Sequence, residues 1–196
     1  MGSHASPRSQ LVVPNTCRLV RLTHILCEKV MRPIVLFTSK FSSPIGSIRF
    51  VSTEDNLKQV ILPTQSLSSR LSHDLEFKEI PLLLQCAEQL EEYFLGKRKA
   101  FSLPLEPEGT PFQFKAWMAL CSINYGETVT YGQQAKAVGV PNGARPVGSA
   151  NALNPLPIIL PCHRVIGSDG KLRGYAGGTD QLHIKEFLIN HERANL

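Results

Sequence analysis

The chain has 196 residues, of which 42% are hydrophobic and 19% charged, values that exclude a mostly disordered protein. No window approaches the roughly 20 unbroken apolar residues of a membrane-crossing helix. The formal charge of +5 permits a polyanionic partner and equally fits an ordinary solvated surface.

At roughly 100–200 residues per domain, the length allows one or two domains. Five cysteines at irregular spacing, Cys17, Cys27, Cys86, Cys121 and Cys162, are an odd number and do not form a disulfide framework. A reducing compartment is expected: the cytoplasm, or the nucleus if the source is eukaryotic. The run around Leu11 is broken by Pro14, Asn15 and Arg18 and offers no secretory core. Residues 1–30 read as a loosely ordered extension, with Met31 a candidate start of the folded part. Cys17, His24 and Cys27 lie close in sequence, but a tetrahedral zinc site needs a fourth ligand and none is evident, so no metal is expected.

In chain order, the apolar run Ile34–Phe37, the turn cluster Ser42–Gly46 and the alternating Ser47–Ser52 predict a β-hairpin. Gln59–Leu62 reads as a further strand and residues 63–80 as loop. Pro81–Leu95 is predicted helical, with proline at the start and Leu83, Ala87, Leu90 and Phe94 on one face. Gly96 ends it, and Lys97, Arg98 and Lys99 suit the negative end of a helix dipole or a plain solvated end. Pro104, Pro107 and Gly109 mark residues 101–110 as the linker. The domains expected are therefore 1–30, 31–108 and 109–196.

The last segment opens with Thr110-Pro111, a cap followed by proline at the first helical position, and an apolar stripe of Phe112, Ala116, Trp117 and Leu120. Thr130 caps a second helix, Tyr131–Val138, which Gly139 stops. A third helix covers about 143–153; with Asn142 as its cap, Pro146 falls in the first turn, where a missing N–H costs little. Two short helices around a tight turn outline a helix-turn-helix, although many helical corners share that pattern. Cys86 and Cys121 are expected in helical cores, and His73 and His183 at the surface.

The most informative stretch is Asn154-Pro155-Leu156-Pro157-Ile158-Ile159-Leu160-Pro161-Cys162-His163-Arg164-Val165. Three prolines forbid a helix, so a rigid extended segment delivers a cysteine beside a histidine. Such a cysteine is either a small buried hydrophobe or a nucleophile whose thiolate is favoured by a nearby base.

Pro161-Cys162-His163-Arg164-Val165 resembles the active-site signature of the O6-alkylguanine-DNA alkyltransferases, the methylated-DNA–protein-cysteine methyltransferases. Thr130-Tyr131-Gly132, Ala144-Arg145-Pro146-Val147-Gly148, Asn154-Pro155, Gly174-Tyr175-Ala176-Gly177-Gly178, Lys185-Glu186-Phe187-Leu188 and His191-Glu192 follow the family's order and spacing. The likeness is strong over about residues 110–193 and only in outline over 31–108.

The resemblance implies an α/β (α+β) protein. Its small N-terminal domain is a ribonuclease H-like β-sheet with a helix. Its C-terminal domain is mostly helical, with a winged helix-turn-helix. It implies a DNA repair protein that flips out O6-alkylguanine, with O4-alkylthymine left open as a second substrate, and moves the alkyl group irreversibly to its own cysteine. Cys162 would be the acceptor, His163 the base acting through a water, and Glu192 the holder of the imidazole. That is the logic of nucleophile, base and orienter. Tyr131 would turn the base and bond guanine N3, Arg145 would fill the space left in the duplex, and Asn154 would tie the helix-turn-helix to the active segment. Small Ala144, Gly148, Ser149 and Ala150 would admit the third helix to the minor groove. Gln113 and Ser168 would touch the DNA backbone, although Ser168-Asp169-Gly170 also reads as a plain turn. Val165, Tyr175 and Ala176 would border the base pocket. No cofactor is implied, because the alkyl group comes from DNA; the partner is double-stranded DNA, and a monomer is expected. The cysteine should open onto a base-sized cavity and be ionised.

The sequence departs from the family pattern in places. Two extra residues separate Gly178 from the last helix, Ala176 replaces a serine, Ala152 stands where some members carry a basic residue, and Pro146 replaces an alanine. Two competing readings are a DNA-binding damage flag, which Cys162 argues against, and a cysteine hydrolase, for which no oxyanion-hole motif is present.

Overall fold

A computed structural model describes residues 35–63, 65 and 75–196. Cys17, His24, Cys27, Met31 and His73 lie outside the described residues, as do parts of the first predicted strand and of the predicted 63–80 loop.

The N-terminal half is a four-stranded sheet in the order β3-β2-β1-β4, built from β1 (Leu36–Ser43), β2 (Gly46–Ser52), β3 (Leu57–Ile61) and β4 (Leu75–Phe77). β1 and β2 form the predicted hairpin, in register Ser43↔Gly46, Phe41↔Ile48 and Ser39↔Phe50. The turn is tighter than the sequence reading, because strand pairing runs into the turn cluster. Gly46 adopts φ 108, which a side chain would resist. β4 lies in the stretch read as loop. It is three residues long and pairs in parallel with β1, and its register is set by the sheet rather than by local pattern.

The helix α1 (Pro81–Phe94) packs on β1 and β2. Pro81 stands at its first position, as expected. Its buried face is Leu82, Leu83, Cys86, Gln89, Leu90 and Tyr93; Ala87 and Phe94, placed on the stripe by the sequence, are only half-buried. The face is rotated because Tyr93 turns toward the C-terminal half. Gly96 closes the helix at φ 72. Of the three bases after it, Arg98 pairs with Glu92 at 2.6 Å and Lys99 lies 5.6 Å from the centre of the Tyr125 ring.

The predicted linker is docked on the sheet. Leu57 N–H donates to Pro104 O at 2.8 Å, Glu106 N–H to Leu57 O at 2.9 Å, and Val60 N–H to Pro155 O at 2.8 Å. An outer strand leaves backbone groups that need partners. Here residues 104–106 and the segment leading to Cys162 supply them. Leu103 and Leu105 are buried, and one apolar cluster runs from Phe37 and Phe50 through Leu90, Trp117 and Leu160 to Leu188.

The C-terminal half holds α2 (Pro111–Leu120), α3 (Tyr131–Ala137), α4 (Ala144–Ala152) and α5 (Leu182–Ala194), with β5 (Val129–Thr130) pairing in parallel with β6 (Val165–Ile166). α2 and α3 each start with a full capping box, Thr110 with Gln113 and Thr130 with Gln133. Such caps contribute about 1 kcal/mol each. The cap of α4 is Gly143, not Asn142 as read from sequence, which moves Pro146 to the third helical position. It remains in the first turn, so the proline still removes no intrahelical bond.

Side chains lock α2, α3 and α4 together. Trp117 Nε1 donates to Ala150 O at 2.8 Å. Gln134 and Asn151 exchange amide bonds at 2.7 and 3.2 Å, and Gln134 Nε2 also donates to Ala116 O at 2.9 Å. No helix among the described residues is long and apolar enough to cross a membrane.

Candidate active site and nucleic-acid interface

The segment after α4 is held by one amide. Asn154 Oδ1 accepts from Leu156 N–H at 3.0 Å, while Nδ2 donates to Leu160 O at 2.8 Å and to Cys162 Sγ at 3.1 Å. The three prolines leave few backbone donors, and this side chain adds to the bonds that the backbone makes, Leu160 N–H to Leu156 O and Cys162 N–H to Leu160 O, both at 2.8 Å. Ile158 takes φ 73, a left-handed conformation rare for a β-branched residue. The chain then enters a short 3-10 turn, Cys162–Arg164.

His163, the next residue, is fully buried, and its Nε2 lies 2.7 Å from Glu192 Oε1. Its Nδ1 is buried without a hydrogen-bond partner in the structure. Glu192 on α5 is enclosed by donors. Arg164 Nε reaches Oε2 at 2.9 Å and Nη2 reaches Oε1 at 3.0 Å, Tyr93 Oη reaches Oε1 at 2.9 Å, and Gly126 N–H reaches Oε2 at 2.9 Å. Arg164 also donates to Ile123 O at 2.6 Å and lies 5.7 Å from the centre of the Tyr125 ring.

Burial by itself would raise the Glu192 pKa, but the hydrogen bonds of His163 and Arg164 and the Arg164 charge prevail and hold the carboxyl well below the usual range. His163 is pushed down by burial, with Glu192 pulling the other way, so the imidazole is neutral and available as a base. Cys162 is pushed up by burial, against the Asn154 bond and the charge of Lys185. The expected exposed, ionised sulfur is therefore corrected: Cys162 is 4% exposed and rests as a thiol. Its surroundings are polar on one side, with Asn154 at the sulfur and a lysine charge near it, so deprotonation is assisted when it occurs.

Lys185 is buried on α5. Its Nζ donates to Arg173 O at 3.1 Å, lies 3.4 Å from Tyr131 Oη, and sits 5.6 Å from the Tyr131 ring centre. Burial lowers it to about 8, opposed by the Cys162 charge. Tyr131 is raised to about 12 by burial first and Cys162 second, so its hydroxyl stays protonated.

Tyr131 and Arg173, which both meet Lys185, also line an open groove of about 1190 Å³ with Ala144, Arg145, Gly148, Ser149 and Ser168 and with Gly174 and residues 177–179. Cys162 is not in its lining, so the expected opening of the sulfur onto a base-sized cavity is corrected as well. Six sequence-predicted DNA residues thus share one surface. Gln113 does not join them: its Oε1 accepts from Thr110 N–H at 2.8 Å, and it lines a separate cavity of about 820 Å³ with Lys58, Trp117 and Asn154. Val165 and Tyr175 are buried and, like Ala176, do not line the groove; Ala176 is half-buried at φ 49, with its carbonyl held by Gln65 Nε2 at 3.0 Å. Ser168 is exposed in a turn closed by Gly170 N–H to Gly167 O at 3.0 Å. Cys86 is buried in the core, Cys121 is half-buried at the end of α2, and His183 is exposed.

Sequence reasoning assigned no role to Arg164, Lys185 or Tyr93. A signal existed for Lys185: it shares the 184–188–192 face of α5 with Ile184, Leu188 and Glu192, where a lysine interrupts an apolar stripe. Tyr93 lies 99 residues from the carboxylate it binds and left no local signal.

Fold and site together define a two-part α/β protein whose helical half carries a buried thiol next to a buried His–Glu pair, and an open groove along a helix-turn-helix. The DNA-binding domain of the 6-O-methylguanine DNA methyltransferases matches residues 111–194, and their ribonuclease-like domain matches residues 36–107. The constitutive methylated-DNA–protein-cysteine methyltransferase of Bacillus subtilis is 46% identical over 77% of this chain and 92% of its own length. The methylated-DNA–protein-cysteine methyltransferase of Methanosarcina barkeri is 49% identical over 79% of this chain and 95% of its own. Among solved structures, Mycobacterium tuberculosis OGT in complex with DNA superposes with a TM-score of 0.73 at 37% identity, covering 81% of this chain and 94% of that one. The chain belongs to the methylated-DNA–protein-cysteine methyltransferase (O6-methylguanine DNA methyltransferase) family.

Proposed function

We propose that Cys162 is the alkyl acceptor in the repair of duplex DNA. The chain repairs O6-methylguanine by moving the methyl group to a cysteine of its own, and it binds DNA. The observation that carries the assignment to Cys162 is its sulfur, bonded by Asn154 and adjacent to the buried His163–Glu192 pair, with Tyr131, which feels the Cys162 charge and meets Lys185, leading to the groove that also holds Arg145.

A stacked guanine cannot reach a sulfur that is 4% exposed, so the nucleotide leaves the helix and enters the groove. The small residues Ala144, Gly148 and Ser149 let α4 approach the minor groove closely, and Arg145, exposed on the first turn of α4, reaches into the duplex. His163, neutral and anchored by Glu192, takes the thiol proton through a water. Lys185 and Asn154 stabilise the thiolate. The sulfur then forms a bond to the alkyl carbon as the carbon–O6 bond breaks, and the electron pair passes to the guanine ring. The Tyr131 hydroxyl beside Lys185 donates a proton to the departing guanine and regains one, through water, from the proton that His163 took from the thiol, so guanine leaves neutral and both side chains return to their resting state. The thioether has no leaving group, so each chain reacts once. The protein acts as a monomer.

The test is incubation with a duplex carrying labelled O6-methylguanine, alongside a Cys162→Ser control. Transfer to the unaltered chain only, saturating at one methyl per chain, supports the assignment. Transfer to the serine variant, or DNA binding without transfer in both, overturns it.

A further inference from the structure

Tyr93 is the side chain that reaches from α1 into the relay. Its ring is fully buried, packed edge-on against Phe94 at 5.3 Å and Tyr125 at 6.1 Å and tilted on Phe101 at 5.6 Å, and its hydroxyl donates to Glu192 Oε1 at 2.9 Å. The same oxygen takes His163 Nε2 at 2.7 Å and Arg164 Nη2 at 3.0 Å. Three donors on one carboxylate oxygen compete for the same lone-pair density. Each one added weakens the hold of that oxygen on the imidazole N–H.

We propose that Tyr93 is a positioning residue for alkyl transfer, whose hydroxyl fixes the Glu192 carboxylate and sets how strongly it draws on His163. The proposal rests on reading Cys162, His163 and Glu192 as the reacting set. The Tyr93 phenol is held neutral by burial, so toward an ionised carboxylate it acts as a donor. By restraining Glu192 it keeps His163 from becoming a standing imidazolium, which could not accept the thiol proton. The charged and titratable groups facing the pair are Arg164 and Cys162 on the 3-10 turn, Lys185 on α5, Tyr125 and Tyr175 from the loops, and Tyr93 itself. Arg164 and Lys185 are cationic below neutrality and the tyrosines are neutral. The acid limb of the rate profile therefore reads His163.

The experiment is single-turnover methyl transfer from a saturating O6-methylguanine duplex, followed from pH 5 to 9. In Tyr93→Phe, the acid limb should move up by about 0.5–1 pH unit, a fraction of the roughly 1–2 units that one hydrogen bond to a charged group is worth, because the loss reaches His163 only through Glu192, with the DNA dissociation constant unchanged. Site-specific 3-fluorotyrosine at position 93 keeps the ring, donates more strongly and should move the limb down. In a Glu192→Gln background both shifts should vanish. A Tyr93→Phe profile that superimposes on the unaltered one, whatever its melting temperature, overturns the proposal alone. A Glu192→Gln profile identical to the unaltered one overturns the underlying reading of the relay and the proposal with it.

Discussion

Asn154 and Cys162 are joined by a 3.1 Å N–H···S bond, and the same amide spans Leu156 N–H and Leu160 O. One side chain therefore shapes the proline-rich segment and lowers the energy of the thiolate it presents. Asn154→Ala should leave the buried Leu156 N–H unpaired, while Leu160 O keeps the Cys162 N–H at 2.8 Å, and cost about 1–3 kcal/mol of stability. It should also slow methyl transfer at neutral pH by raising the thiol pKa. Denaturant unfolding and single-turnover transfer measure the two effects; a stable variant with an undiminished rate contradicts both.

Lys185 couples function to instability. Its folded pKa of about 8 lies below the ordinary lysine value, so between about pH 8 and 10.5 the unfolded chain binds the extra proton. The sign follows: the penalty of burying this charge is fully present below pH 8, and stability recovers as pH rises through that window. Lys185→Met should raise the melting temperature at pH 7 and flatten this rise, while slowing methyl transfer roughly tenfold, the size of about one thiol pKa unit. Thermal melts from pH 7 to 10.5, paired with transfer rates, decide it.

Glu192 has the opposite sign. Its folded pKa is depressed below the unfolded value, so its contribution is complete above about pH 4.5 and is lost as pH falls through the folded value. Glu192→Gln leaves the buried Arg164 guanidinium without its counter-charge. It should cost about 3–5 kcal/mol at pH 7 and remove that part of the acid dependence. Urea unfolding at pH 3 to 7 reads both, and an equal loss at pH 3 and pH 7 would contradict the assignment.

Arg145 is exposed on α4, far from the relay in its contacts. Arg145→Ala should slow repair of O6-methylguanine in duplex DNA at least tenfold more than reaction with free O6-benzylguanine, which needs no extrusion. Equal losses on the two substrates would give Arg145 some other task. Duplex affinity should also fall with added salt, as phosphate contacts require.

The elements with strong local patterns were legible: the hairpin ending at Gly46, α1 from Pro81, the capped starts at Thr110 and Thr130, and the Cys162–His163 pair. Glu192 was placed through the family resemblance and lies on His163. What was not legible depends on distance in the chain. β4 is three residues long and exists through its pairing with β1. Tyr93 reads as one more apolar residue of α1 until α5 is seated beside it. The reach of Arg164 to Ile123 O and Glu192 depends on two loops and a helix meeting. The α4 cap was misplaced by one residue because asparagine and glycine both satisfy the cap preference.

The outer edge of β3 is finished by chain from beyond the sheet, with Leu57 bound to Pro104 and Glu106 of the segment after α1, and Val60 bound to Pro155 of the C-terminal half. Until residues 104–106 and 155 arrive, that strand carries free donors and acceptors on a bare flank, the arrangement on which β-rich aggregates grow. A nascent or partly opened chain is therefore adhesive to its own kind at β3, and the docking of residues 104–106 and then of Pro155 is what makes the sheet safe in a crowded solution.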